Sequence, residues 1–136
     1  MVLRQVVDDR LLHVPEPVLA LALDDADRAP WLATLAALLS ESSDKPVFLA
    51  CSALKSRYRE ILSAGSGDVQ FVHLRGTPEL IRARLRARPG HFMPESLIDS
   101  QFAALETPQE ALSVDIDQPV EAIVATIIQQ LNLPAQ

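Results

Sequence analysis

The sequence contains a single cysteine, and this scarcity excludes two kinds of structure. Cys51 cannot form an internal disulfide, and a lone thiol is typical of proteins from a reducing compartment. The three histidines, His13, His73 and His91, show no metal-ligand spacing with Cys51. We therefore expect neither a disulfide framework nor a zinc site, and no residue is predicted to be a metal ligand.

Long apolar runs and excess positive charge are missing as well. The apolar run at residues 18–23 is far shorter than the about 20 residues that a membrane span requires, and the N-terminus lacks the features of a signal peptide. Twelve Lys and Arg against eighteen Asp and Glu give a net charge of −6, which argues against binding to nucleic acid. We expect a cytoplasmic protein with neither a membrane nor a nucleic-acid partner.

The sequence does contain enough apolar material for one folded domain. The chain has 136 residues, of which 49% are hydrophobic, so residues 1–136 are expected to form a single α/β domain. Strand-like and helix-like segments alternate from residue 46 onward, which favours a parallel sheet with helices on both faces. Residues 1–22 fit this pattern poorly. The predicted strands are 46–51, 68–74 and 112–116, and the predicted helices are 27–39, 54–64, 77–88, 94–105 and 119–133.

Four arginines lie in one predicted helix, at alternate positions from Arg82 to Arg88. With about 100° per residue, Arg84 and Arg88 lie on the edge nearer the apolar stripe, whereas Arg82 and Arg86 lie on the other side. Guanidinium groups stack on planar rings and bind phosphate with two hydrogen bonds, so Arg84 and Arg88 suit a base and a phosphate. The alternative interpretation is a solvated helix face, which is what a run of charges usually forms.

A second group of polar side chains follows the first predicted strand. Lys55, Tyr58 and Arg59 are spaced to share one helix face, and ligands in open α/β sheets bind beyond the carboxyl ends of the strands. These three residues suit an anion that carries hydroxyl groups, and ordinary surface charge is the open alternative. Cys51 is interpreted as a small core residue, because no histidine pairs with it in the sequence. The acidic residues at 24–27 are explained largely by the helix dipole.

Taken together, these segments resemble the gluconokinases, which are small P-loop kinases that phosphorylate gluconate with ATP. The resemblance covers about residues 23–136, and five blocks occur in the family's order and spacing. It implies a three-layer parallel sheet like that of nucleoside-monophosphate kinases, and conversion of D-gluconate to 6-phosphogluconate with ATP and Mg²⁺. The five blocks are 23–32, 51–59, 84–93, 100–106 and 114–121.

The resemblance also implies a role for individual residues. Arg88 corresponds to the catalytic arginine that reaches the transferring phosphate, and Arg84 to the arginine that packs on adenine. Gln118 and Pro119 correspond to the loop that holds the adenine edge, and residues 84–106 to a mobile lid. The residues implied to border the sugar acid are Asp27, Arg28, Lys55, Tyr58, Arg59 and His91.

One departure from the family pattern changes the expected activity. The phosphate-binding motif Gly-x-x-x-x-Gly-Lys-Ser/Thr is absent, because neither Lys45 nor Lys55 follows a glycine. The motif and the central strand before it lie at the family's N-terminus, which here is interpreted as truncated or replaced. We therefore expect no phosphoryl transfer by this chain alone. We also expect marginal stability, self-association or both. Two alternatives stay open for the gap in the sheet: residues 2–7 or 18–23 fill it, or two chains pair their sheet edges as a homodimer.

Two other functions stay open at this point. The first is a non-catalytic α/β remnant that binds a sugar acid, a nucleotide or a protein partner, and the absent phosphate-binding motif favours it. The second is a receiver-type signalling domain, suggested by the acidic pair Asp8 and Asp9 after a strand-like segment. A receiver domain also needs a phospho-accepting aspartate after a middle strand, where this chain has Ser52, so this alternative fits poorly.

Overall fold

The fold is taken from a computed structural model that describes residues 25–40, 48–64, 68–87 and 95–133. The chain divides into two compact units, one formed by Leu3–Val69 and the other by Gln70–Gln136 together with Met1–Val2. Each unit is described by itself. In chain order the elements are α1 (Asp25–Ser40), α2 (Ser56–Ser63), β1 (Val72–Arg75), α3 (Pro78–Arg86), α4 (Glu95–Ala104), β2 (Leu112–Asp115) and α5 (Val120–Gln130).

The second unit is built on a pair of parallel strands. β1 and β2 pair from Val72 opposite Leu112 to Arg75 opposite Asp115. The amide of Ile116 extends the ladder by donating to the Arg75 carbonyl at 2.9 Å. α3 and α4 lie between the two strands in the chain, as a parallel crossover requires. The predicted α/β class and the parallel pairing of these two strands are confirmed.

α3 begins at a turn that the local sequence encodes. Thr77 caps the helix, its hydroxyl accepting a hydrogen bond from the Leu80 amide at 3.2 Å, and Pro78 occupies the first helical position. Before the cap, Gly76 lies against the chain that follows β2. A Cβ atom at this position would lie 2.8 Å from two side-chain carbons of Ile116, so only glycine fits without a shift.

α5 is amphipathic, but its buried stripe is narrower than the sequence predicts. Ile123 and Ile127 are buried, whereas Val120 is 63% exposed and Val124 is 44% exposed. The four residues follow a helical repeat in the sequence, which cannot show how wide a stripe the neighbouring elements cover. Within this unit, Val120 and Val124 therefore do not belong to the buried face of α5.

The first unit is built from α1 packed on α2. Leu32 and Leu35 of α1 are buried, as are Tyr58 and Leu62 of α2. The predicted start of this helix at residue 27 is wrong, because α1 already begins at Asp25.

Pro30 consequently lies inside α1 rather than in its first turn. A proline there removes one hydrogen bond from the helical ladder. The Thr34 hydroxyl donates to the Pro30 carbonyl at 3.0 Å and so adds a hydrogen bond beside that gap.

The structure describes residues 48–51 of the predicted strand at 46–51. These four residues do not form a regular strand. Within the described part of this segment, residues 48–50 form no ladder and Cys51 forms an isolated β-bridge. Leu49, Cys51 and Ala53 are buried while the residues between them are exposed, so the alternation typical of a strand is present. The prediction of a regular strand is therefore wrong within the described part of this segment.

Several predicted features lie outside the described residues. They include residues 1–22, Arg88 and His91, of which the last two fall in the predicted lid. Of the helices that the structure describes, none is long and apolar enough to cross a membrane.

Candidate substrate-binding sites

A cluster of charged side chains joins α1 to the start of α2. The Lys55 ammonium lies 3.1 Å from one carboxylate oxygen of Asp25 and 3.2 Å from the other. The Arg57 guanidinium forms an ion pair with the same carboxylate, and the Tyr58 hydroxyl donates a hydrogen bond to it. Arg28 Nη1 donates to the Tyr58 oxygen at 3.2 Å. We call these five residues the Asp25 cluster.

The Tyr58 ring organises the cations of the Asp25 cluster. The side-chain charges of Arg28, Lys55 and Arg57 lie 5.8, 5.7 and 5.5 Å from the ring centroid, within the range of cation–π attraction. Tyr58 itself is only 4% exposed, whereas the side chains of Lys55 and Arg57 are 29% and 52% exposed. A buried aromatic ring therefore holds three cations, and at least Lys55 and Arg57 among them are partly exposed to solvent.

Arg59 does not join the Asp25 cluster, although its spacing predicted a shared face with Lys55 and Tyr58. Its guanidinium donates to the carbonyls of Ala53 and Leu54, at 2.8 and 3.1 Å. Ala53 has a positive φ of 36°, a conformation that costs a non-glycine residue energy. Arg59 thus stabilises the bend that leads from the Cys51 segment into α2.

Three members of the Asp25 cluster and one adjacent residue are among the site residues predicted from the sequence. The other two members of the cluster are not. Arg28, Lys55 and Tyr58 are brought together as predicted, while Asp27 lies on the same first turn of α1. Asp25 and Arg57 were missed. Asp25 is paired with residues 30 and 33 positions away, and no local pattern carries information over that separation.

The second candidate site is the loop that follows β2, residues 115–118. Arg84 Nη2, from the last turn of α3, donates to the carbonyls of Ile116 and Gln118, the latter at 3.2 Å. Gln118 in turn donates from its side-chain amide to the Asp115 carbonyl at 2.6 Å. Arg84 and Gln118, both predicted nucleotide ligands, therefore meet at this loop, and Pro119 follows directly as the N-cap of α5.

Asp115 fixes the same loop from the sheet side. One of its carboxylate oxygens accepts a hydrogen bond from the Asp117 amide at 2.8 Å, and the other lies 3.3 Å from the Arg75 guanidinium. Arg75 and Asp115 are partners in the parallel ladder, so this contact closes the carboxyl end of the strand pair. Ligands bind at this end of the strands in open α/β sheets.

Arg82, another arginine of α3, links its own helix to α4. Arg82 pairs with Asp99 of α4 and with Glu79 one turn back. Its side chain is 22% exposed, whereas Arg84 is an exposed residue, so the prediction that Arg84 lies nearer the buried side of the helix than Arg82 is wrong. α4 packs beside α3 and covers that edge of the helix, which the helical repeat of α3 alone does not reveal.

Neither candidate site carries a metal-binding group of side chains. Among the described residues, no cluster of three His, Cys, Asp or Glu side chains is arranged to hold a metal ion. The hydroxyl that a P-loop kinase directs at Mg²⁺ belongs to a motif that the 136-residue sequence does not contain. Within the described part of the chain, the residues therefore do not fit a Mg²⁺ site.

Cys51 is a buried thiol of low reactivity. Its side chain is 6% exposed, and burial raises the pKa of the thiol above its ordinary value of 9.0, against smaller lowering contributions. A thiol with a raised pKa stays protonated at neutral pH and is a poor nucleophile. This agrees with its interpretation as a core residue.

Comparison with known proteins identifies the family. A probable gluconokinase from Rattus norvegicus is 39% identical in an alignment of 133 positions that covers 81% of this chain and 72% of the relative. The chain belongs to the gluconokinase family. The thermoresistant gluconokinase of Escherichia coli is 41% identical in an alignment of 116 positions that covers 81% of this chain and 66% of that relative. No family model matches the chain.

Solved structures extend the same assignment to the fold. A gluconokinase from Sinorhizobium meliloti superposes with a TM-score of 0.73 at 36% identity, covering 92% of this chain and 79% of that one. An unliganded sugar kinase from a Janibacter species superposes with a TM-score of 0.76 at 39% identity, covering 89% and 75%. The gluconokinase fold thus accounts for most of this chain, and the chain accounts for about three quarters of each structure.

Proposed function

We propose that this gluconokinase-family chain belongs to the reaction that phosphorylates D-gluconate to 6-phosphogluconate with ATP. The observation that carries the proposal is the Asp25 cluster, in which Arg28, Lys55 and Arg57 gather around one buried tyrosine. Family membership supplies the reaction, and the cluster supplies groups that fit a sugar acid. The same proposal places the reaction in the cytoplasm, where ATP is available and a lone thiol stays reduced.

The Asp25 cluster matches the chemistry of an aldonate. Gluconate carries one carboxylate, which suits ammonium and guanidinium groups, and several hydroxyls, which suit carboxylate and phenol oxygens. Asp25 keeps Lys55 and Arg57 in place and also accepts hydrogen bonds. We propose that Arg28, Lys55 and Tyr58 bind the sugar acid directly, with Asp27, Arg59 and His91 as further members of this site.

The loop at 115–118 is the proposed nucleotide site. Arg84 and Gln118 already meet there, and both fit a planar base. Pro119 begins the next helix beside them. Arg88 is proposed as the catalytic arginine, because phosphoryl transfer depends on positive charge around a spreading negative charge.

The finer fold proposals follow from the same family. We propose a three-layer arrangement with helices on both faces of a parallel sheet. Residues 1–136 are proposed to act as one kinase-like domain with residues 84–106 as its lid. The family resemblance and the observed parallel pair β1–β2 support this arrangement.

The sugar-acid site is tested by a charge-removing substitution with a matched control. Lys55→Met keeps the aliphatic stem and removes the ammonium, so calorimetry should show D-gluconate binding at least about tenfold more weakly than to wild type. Lys45→Met removes the chain's other lysine and should leave the affinity unchanged. Thermal melts of both variants separate a lost contact from a lost fold. Equal affinity for Lys55→Met and wild type would contradict the proposed site.

A further inference from the structure

The loop at residues 115–118 is held by more hydrogen bonds than a four-residue connection needs. Arg84 binds the carbonyls of Ile116 and Gln118, and Asp115 engages the Asp117 amide. Gln118 returns to the Asp115 carbonyl, and the Ile116 amide is bound to Arg75. These hydrogen bonds come from α3 on one side of the loop and from the strand pair on the other side. The loop is therefore fixed by two different elements.

Arg84 is the part of this network that comes from outside the loop and the strands. Both of its hydrogen bonds start from one nitrogen, Nη2, and both end on main-chain oxygens. Hydrogen bonds from a charged donor are stronger than neutral ones, and main-chain acceptors fix the path of the backbone. The guanidinium therefore determines the shape of the loop before any ligand arrives.

We propose that Arg84 is a positioning residue, which sets the shape of loop 115–118 through the carbonyls of Ile116 and Gln118. The loop then receives the base of the nucleotide as a preformed surface. This inference rests on the proposed function, because the nucleotide site is part of it. It differs from a role in which the guanidinium plane merely stacks on the base, since the hydrogen bonds exist without the nucleotide.

The two roles respond differently to lysine. Because both hydrogen bonds come from one nitrogen, a lysine ammonium offers the same kind of donor to the same oxygens. Stacking on a base requires the planar guanidinium, which lysine lacks. Arg84→Lys should therefore retain much of the positioning effect.

The first measurement is the rate of amide hydrogen exchange. NMR monitors this rate on the full 136-residue chain without nucleotide. Arg84→Ala should speed exchange at the Ile116 and Asp117 amides by about tenfold or more, because the bonds that brace them are lost. Arg84→Lys should lie between wild type and Arg84→Ala. Arg82→Ala removes a guanidinium of the same helix that bonds to Asp99 and Glu79, and should stay within about twofold of wild type. Equal exchange in Arg84→Ala and Arg82→Ala would overturn the proposal.

The second measurement is the dissociation constant for ATP, which separates this inference from the proposed function. Arg84→Ala should weaken ATP binding by about tenfold, and Arg84→Lys should recover part of that loss. If wild type binds no ATP, the proposed nucleotide site fails, while the exchange data still decide the positioning role. If Arg84→Ala leaves exchange unchanged but weakens ATP binding, and Arg84→Lys fails to recover it, stacking replaces positioning.

Discussion

Tyr58 and Asp25 show how single side chains build a site that no short sequence pattern contains. The Tyr58 hydroxyl donates to Asp25 and accepts from Arg28, which ties α1 to α2 across 30 or more positions. Spacing along the chain predicted that Lys55 and Tyr58 act together, because they lie within one helical turn. It could not predict Asp25, whose role depends on how two helices pack. It also misplaced Arg59, whose guanidinium is drawn to the strained Ala53 bend.

Cys51 provides a pH-dependent prediction. Burial raises the thiol pKa in the folded chain above the value of 9.0 that we take for the unfolded chain. The folded state therefore binds the proton more tightly, and the resulting stability is fully present below the unfolded pKa and lost as pH rises through the folded one. The free energy of unfolding, measured in urea, should fall more steeply for wild type than for Cys51→Ala as the pH rises above 9.0.

Subtracting Cys51→Ala from wild type isolates this single group, because all other titrating side chains are shared. The packing loss of the alanine variant shifts its stability by an amount that does not depend on pH. Parallel pH profiles for the two proteins would show that the Cys51 pKa is the same in the folded and unfolded chains.

At the scale of elements, local signals predicted where α3 begins. The extent of the strands was predicted less well, because a strand depends on a neighbouring chain segment that the local sequence does not reveal. Thr77 and Pro78 predicted the start of α3 because a cap and a helical φ are properties of adjacent residues. The segment 48–51 has the burial pattern of a strand, but a ladder depends on the neighbouring chain. The predicted strand from 68 to 74 is likewise shorter in the structure, because β1 has its partner only from Val72 to Arg75.

The junction between β1 and α3 provides an element-scale prediction at Gly76. An alanine Cβ would lie 2.8 Å from Cδ1 and Cγ1 of Ile116, which is only 6% exposed and has little room to move. Gly76→Ala should therefore lower the free energy of unfolding by about 1–3 kcal/mol, measured by urea denaturation.

A double-mutant cycle checks that the clash with Ile116 is the cause. In an Ile116→Ala background the obstructing carbons are gone, so adding Gly76→Ala should have a much smaller effect. If Gly76→Ala has the same effect in both backgrounds, the cost comes from the backbone at Gly76 and the packing explanation is wrong.

At the scale of the whole molecule, the order of five sequence blocks predicted the family correctly. The α/β class followed from alternating segments, and the relatives confirm both. The catalytic arrangement was harder to predict from the sequence, because the roles of Arg88 and His91 are implied only by the family resemblance. The chain matches gluconokinases over about 80% of its length, yet it lacks their phosphate-binding motif.

This combination predicts that the 136-residue chain does not transfer phosphate by itself. Its sequence does not contain Gly-x-x-x-x-Gly-Lys-Ser/Thr, the motif whose backbone amides and lysine hold the phosphates in P-loop kinases. Gluconate-dependent release of ADP from ATP should therefore stay at the level of a no-protein control. Turnover above that control would mean that another segment of the chain holds the phosphates.

The central claim is that the Asp25 cluster binds a sugar acid through its carboxylate, and a ligand comparison on the unaltered chain tests it most directly. Isothermal calorimetry should show that D-gluconate binds at least about tenfold more tightly than D-glucose, which has the same number of carbons and no carboxylate. The gluconate affinity should also fall with added salt, because the binding groups are cations at the surface. Equal binding of the two sugars, or no binding of gluconate, would contradict the claim.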